Sequence, residues 1–345
     1  MRSSFSTAIL AAALAIALPL AGCAKKAPGP VDSRPTIGLV TDAGGLGDRS
    51  FNDQAYAALN DDAKQMPFKV DLLESHTSTD YFSNLTLMAT KNTDQTIAIG
   101  FDMASDVVAV ARRWPKRNFA IIDAVADVPN VTSVTFKEQD GAFLAGALAA
   151  IASKTNTVAF LGGGPAKHLA GIEDAFAAGA KEINPHANVL VTNLQALGDK
   201  DAGAKAARDL FNRHADVIFV AASTAGLGAF DEVKHHNNAW LIGANTDQSA
   251  LAPGKVLSSL VKRIDVAVLR ICQDTVSQKP VSGQIQLGLA DGAIGLTDSP
   301  LARTHLTTHD RAQLTAVSRA IVDHAITVPT TPQALAAFKP VPLGG

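Results

Sequence analysis

The chain is short of the residues from which catalytic and metal centres are built. It has only two cysteines, Cys23 and Cys272, so there is no cysteine cluster for zinc or iron. None of its nine histidines forms a His-x-x-x-His pair on a helix-forming stretch. The adjacent His235 and His236, followed by Asn237 and Asn238, read as a solvated loop closing a helix, since one such pair does not complete a tetrahedral site. There is no Gly-x-Ser-x-Gly elbow to carry a hydrolase nucleophile. Gly45-Leu46-Gly47-Asp48-Arg49-Ser50 lacks the third glycine of a dinucleotide fingerprint and places a carboxylate where a phosphate would sit. Gly162-Gly163-Gly164-Pro165-Ala166-Lys167 lacks the spacing and the hydroxyl of a P-loop. The formal net charge is only −2, with both signs interspersed, which argues against nucleic acid as a partner. Beyond the N-terminus no apolar run is long enough to cross a bilayer. No enzyme, no cofactor and no metal is expected.

What is present begins at the N-terminus. Arg2 gives a positive start, and Ala8 to Leu18 is an uncharged apolar stretch, too short for a permanent span but fit for a secretory signal. Leu20-Ala21-Gly22-Cys23 follows at once. Small residues before a cysteine suit a bacterial lipobox, with Cys23 as the lipidated first residue of the mature chain. The expected location is the cell membrane, anchored by lipid and facing the periplasm or cell exterior. Residues 1–22 are then signal peptide, and 23–35, rich in Pro, Gly and charge, a flexible linker. Cys272 is left without a partner inside an apolar run and reads as a buried, inert thiol.

From Thr36 onward short β-rich runs alternate with amphipathic stretches of helical length. Strands are expected at Thr36–Val40, Phe68–Leu73, Thr96–Gly100, Asn118–Ile122 and Val131–Phe136, with helices at Phe51–Gln65, Asn84–Lys91 and Ala104–Arg113. The rhythm restarts with strands at Thr157–Leu161, Asn188–Val191, Asp216–Val220 and Ala239–Gly243, and helices near His168–Glu182, Ala202–Arg213 and Leu227–Lys234. This is an α/β chain of two doubly wound, parallel-sheet lobes, joined near Lys137–Asp140. The last third, with too many elements for a tail and too few for a domain, implies that the chain crosses between lobes more than once. The lobes are expected to be 36–138 plus 258–288, and 139–257 plus 289–345, with a hinge between them. Ligands of open α/β sheets bind beyond the carboxyl ends of strands, and two facing lobes enclose a cleft there.

Polar clusters gather at those strand ends. After the first strand come Asp42, then Ser50 as a helix cap with Asp53 three residues on, and Phe51 and Asn52 in the first helical turn. A carboxylate, an amide and an aromatic face suit a ligand with hydroxyls and a flat ring. Asp102 and Asp106 follow another strand, Ser223–Gly228 reads as a glycine turn, and Asn245-Thr246-Asp247-Gln248 offers three side chains able to grip hydroxyls.

These segments are familiar as a set. Gly45 to Asn52 resembles the Gly-Ile-Asp-Asp-Lys-Ser-Phe-Asn signature of the basic membrane protein family of lipoproteins, the purine nucleoside receptors of ABC importers among them. The resemblance continues through Phe119–Asp123, Phe136–Gly146, Ile242–Gln248 and Leu257–Asp265, in order. It implies a type I periplasmic-binding-protein fold with a nucleoside between the lobes and an ABC permease as partner. Phe51 would stack on the base; Asp42, Asn52 and Asp106 would hydrogen-bond base or ribose; Asp247 and Lys262 would grip ribose hydroxyls; and Gly226 and Gly228 would allow close backbone approach. The alternative is a receptor for a sugar or another polyhydroxylated small molecule. Two departures bear on the ligand. The family commonly reads Asp-Ser-Asp-Gln where this chain has Asn245-Thr246-Asp247-Gln248, and Ser-Phe-x-Asp near Ala196–Asp199, where Leu197 offers no ring.

Overall fold

A computed structural model of the protein describes residues 32–47, 51–163, 171–196, 198–279 and 282–342. The signal and lipidation expectations on residues 1–22 and Cys23, the Ser50 cap and Leu197 lie outside them. The chain divides into two units, Met1–Ser33 and Arg34–Gly345. The first is described only at Asp32 and Ser33.

The second unit contains two six-stranded sheets. The first comprises β1 (Thr36–Val40), β2 (Lys69–Leu73), β3 (Gln95–Ile99), β4 (Asn118–Ile122), β5 (Val131–Phe136) and β11 (Gly283–Leu287), in the order β11-β5-β4-β3-β1-β2. The second comprises β6 (Thr157–Gly163), β7 (Asn188–Leu194), β8 (Val217–Ala221), β9 (Trp240–Asn245), β10 (Val256–Lys262) and β12 (Ile294–Leu296), in the order β12-β10-β9-β8-β6-β7. All pairings are parallel except β10 with β12. Helices cover both faces, so the central strands are continuous apolar runs rather than alternating ones. Every residue of β3 is buried, as are the last four of β1 and of β4.

The helices following the first sheet's strands are α1 (Phe51–Gln65), α2 (Tyr81–Thr90) and α3 (Ala104–Arg113). In the second half stand α5 (Ile172–Ile183), α6 (Lys200–Asn212) and α7 (Ser223–Glu232). Two helices change sides. After β5 the chain leaves the first sheet at Lys137, and α4 (Glu138–Ala152) packs on the second sheet and on α5. After β10 it returns at Arg263, and α8 (Ile264–Val276) packs on α1 and β4 of the first lobe. The third pass runs from β11 to β12. The passes are hydrogen-bonded together: Lys137 N–H donates to Leu287 O and Arg263 N–H to Ala293 O, both at 2.8 Å.

The expected boundary at 258 is corrected by this topology. Strand β10 pairs with β9 and belongs to the second sheet, so the return falls after Lys262 rather than before Ser258. Parallel pairing fixes this, because a strand seated beside β9 cannot also extend the first sheet. Two short helices, α9 (Pro300–His305) and α11 (Pro332–Ala337), flank the longer C-terminal helix α10 (Thr308–Val322) and have no counterpart in the periodicity. Each is a single Pro-initiated turn or two, capped by Ser299 and Thr331 respectively, and too short to show a period. Cys272, in α8, is buried and unpaired, as read from the sequence.

Candidate ligand-binding site at the strand ends

The loop after β1 is tied down by its own side chains. The Asp42 N–H donates to Asn52 Oδ1 (3.2 Å), and Asn52 Nδ2 donates back to Asp42 Oδ1 (2.7 Å). The same Asp42 oxygen accepts the Gly44 N–H at 2.8 Å. Ala43 N–H reaches the hydroxyl of Tyr81, Gly45 N–H the Asp42 carbonyl, Leu46 N–H the Glu74 carboxylate and Gly47 N–H the Asp53 carboxylate. Every backbone N–H from Asp42 to Gly47 therefore has an acceptor within the protein. A loop of this kind has no free donors with which to cradle a phosphate, which explains in three dimensions why its glycines are not a nucleotide fingerprint. Asp53, expected as part of a helix cap, spends its Oδ1 on this loop.

Asn52 is fully buried, so its amide acts as a fixed bracket rather than a surface group. The other Asp42 oxygen faces the end of β3. A Cβ placed on Gly100 would stand 3.2 Å from Asp42 Oδ2, and Gly100 has φ +104°; glycine serves there on both counts. Beyond Gly100 a 3₁₀ turn, Phe101–Met103, leads into α3, whose first turn carries Asp106. Burial holds the Asp106 carboxyl above its ordinary range. The buried Tyr81 marks where these acids converge. Burial raises its phenol pKa, the Ala43 N–H opposes this, and the charges of Asp42, Asp102 and Asp106 push it up further.

Lys262, the last residue of β10, sits at the junction of the lobes. Its Nζ lies 2.9 Å from Asp123 Oδ2 and 3.2 Å from Glu138 Oε1. It also lies 4.9 Å from the centroid of the Phe51 ring and 6.0 Å from that of Phe136. Its side chain is only 7% exposed. Burial alone would drive the proton off, but the carboxylates of Glu138 and Asp123 outweigh it and hold the ammonium above its ordinary range. Asp123 follows β4 with φ +74°, in the left-handed region that Asp tolerates better than most residues.

The structure thus brings together Asp42 with Asn52, and Phe51 with Lys262, while the charges of Asp42 and Asp106 are both felt at Tyr81. Asp247 stands apart in the second lobe. It is exposed, and its Oδ1 accepts the Ser249 N–H at 2.9 Å. Asn245 ends β9 with φ +70°. The Ser223–Gly228 segment is helix, not a glycine turn. Gly226 is buried against the Val220 side chain. The close approach that Gly228 permits is to the backbone of Lys200 and Ala204 in α6, so packing between helices is one reason for this glycine. Asp123, Glu138, Tyr81 and Glu74 were not singled out from the sequence. The first two lay inside recognisable motifs; the strand-end position of Asp123 was the available signal. Among the described residues no group of three or more His, Cys, Asp or Glu is placed to hold a metal, and no helix is long and apolar enough to cross a membrane.

Comparison with known proteins accords with this arrangement. Residues 36–331 match the profile of the Bmp family, described as ABC transporter substrate-binding protein PnrA-like. The chain belongs to this family. The Bmp family is one of transport receptors, not of enzymes. Among Bmp relatives, the ABC transporter nucleoside-binding protein BmpA of Lactococcus lactis is 31% identical, covering 94% of this chain and 98% of its own. The CD4+ T-cell-stimulating antigen of Listeria innocua is 32% identical, covering 86% of this chain and 88% of its own. In fold, the Bmp chain is similar to a solute-binding protein of an ABC transporter system from Aeropyrum pernix, with TM-score 0.72 at 21% identity over 88% of this chain and 96% of that one.

Proposed function

We propose that this ABC transporter substrate-binding protein captures a purine nucleoside between its two lobes and delivers it to a permease, tethered to the membrane by a lipid on Cys23. The observation that carries the reading is the ring of Phe51 under the Lys262 ammonium, in the same helical turn as Asn52 of the Asp42–Asn52 bracket. A flat face, a fixed acceptor and a buried cation match a base attached to a hydroxylated sugar. In this arrangement Phe51 stacks on the base, Asp42, Asn52 and Asp106 bind base or ribose, Asp247 and Lys262 take ribose hydroxyls, and the backbone at Gly226 approaches the ligand. The name of the Lactococcus lactis relative supports the same ligand class. Closure about the three inter-lobe passes would bring Asp247 toward the first-lobe groups.

Calorimetric titration of the mature chain with guanosine, inosine, adenosine, ribose and glucose tests the ligand. Binding of purine nucleosides, weakened about tenfold by Phe51→Ala, is the expected result. Binding of a sugar with no response to any nucleoside would overturn it. Metabolic labelling with palmitate tests the anchor: label is expected in the wild-type lipoprotein and absent from Cys23→Ser.

A further inference from the structure

We infer that Asp123 and Glu138 are positioning residues, which hold Lys262 in place and charged so that the ligand meets a cation already aimed. The inference rests on the nucleoside reading of the same site. Lys262 ends the second lobe's strand β10, whereas Asp123 follows the first lobe's strand β4, and Glu138 opens the helix that begins where the chain leaves the first lobe. Their contacts of 2.9 and 3.2 Å with Lys262 Nζ join the lobes through one buried side chain. An ammonium has three N–H donors, and these carboxylates engage two of them. The third remains for the ligand, with the Phe51 ring 4.9 Å away along the same wall.

A free lysine side chain samples many rotamers, and a ligand that must order it loses affinity in doing so. Here the two carboxylates order the side chain through contacts made entirely within the protein. The contribution of Lys262 to gripping a ribose hydroxyl then depends on two carboxylates that need not touch the ligand at all. Asp123 is the closer of the two and the more enclosed, at 18% exposed against 34% for Glu138. Its left-handed backbone aims the carboxylate back across the junction, and its own N–H is fixed to Val134 O at 2.8 Å.

Two measurements on the mature chain decide this. The first needs no nucleoside: amine acylation, read lysine by lysine by mass spectrometry, in wild type, Asp123→Asn and Glu138→Gln. Lys262 is expected to react slowly in wild type and about tenfold faster in Asp123→Asn, with a smaller rise in Glu138→Gln and the other lysines unchanged. An unchanged Lys262 rate in both variants overturns the inference. If Asp123→Asn unfolds, all lysines accelerate together, and Glu138→Gln decides alone. The second compares dissociation constants for guanosine and its 2′-deoxy and 3′-deoxy analogues. Wild type is expected to prefer the ribonucleoside about tenfold, with the preference collapsing toward one in Asp123→Asn and in Lys262→Met, and no further in the double variant. Equal weakening of ribo and deoxy ligands in Asp123→Asn would mean a merely structural role. If wild type binds no nucleoside, the ligand reading falls, and the acylation result by itself still upholds or overturns the positioning of Lys262.

Discussion

Asn52 and Asp42 clasp each other in both directions: the amide donates to the carboxylate at 2.7 Å, and the Asp42 backbone N–H donates back to the amide oxygen at 3.2 Å. Ten residues apart, they join the first strand's end to the first helix, and the clasp leaves Asp42 Oδ2 facing Gly100. The orientation of the acceptor is thus set by a buried side chain.

Replacing Asn52 by Ala strands the Asp42 N–H and removes a donor from the carboxylate. Leaving a buried partner unsatisfied costs about 1–3 kcal/mol. Denaturant unfolding should show a loss of that size, and nucleoside affinity should fall as Asp42 loses its orientation. Unaltered affinity in the folded variant would mean that Asp42 does not contact ligand.

Gly228→Ala separates the two roles a cleft glycine can have. A methyl group there meets the backbone of Lys200, and overpacking of this kind costs about 1–3 kcal/mol. Unfolding should register the loss, while the folded fraction should bind nucleoside with its constant changed by no more than about twofold. A large loss of affinity at intact stability would return Gly228 to the ligand.

Asp62 gives a pH signature. It is buried between α1 and α8, its Oδ2 has no partner, and burial raises its pKa above 3.8, with the Cys272 thiol hydrogen bond opposing. The folded form therefore holds the proton more tightly than the unfolded one. Stability is favoured at low pH and lost as pH climbs from 3.8 through the raised folded value. Asp62→Asn removes the titration. Its melting temperature relative to wild type should rise between pH 4 and 7, and a difference constant across that range would refute the assignment.

The occupied N–H groups of the 42–47 loop bear on selectivity. A 5′-phosphate would find no free donors there and would face Asp42, Asp102 and Asp106. Guanosine monophosphate should bind at least about tenfold more weakly than guanosine, more so at low salt, where the repulsion is less screened. Equal binding of nucleotide and nucleoside would show that the phosphate lies clear of this loop.

Elements with a strong period were legible in the chain alone: β1, α1 and α3 appear at the expected residues, because a buried strand and an amphipathic helix each leave a regular trace. The strand-end acids Asp42 and Asp106 were also visible, since their neighbours have no packing reason to be polar. Asp123 and Glu138 were not, because their significance is a distance to Lys262, more than a hundred residues away along the chain. Gly228 is ambiguous for the opposite reason. A glycine that admits a neighbouring helix and one that admits a ligand are the same letter, and only the atoms beside it tell them apart.

The exchange of α4 and α8 between the sheets has one further consequence. Each lobe is roofed in part by a helix that the other lobe's fifth strand delivers, so neither half owns a complete covering. Cut apart at the three passes, each would expose an apolar face that its own sequence cannot hide. The two halves must therefore be born together: the reciprocity that roofs each lobe with the other's helix forbids them to exist as separate proteins.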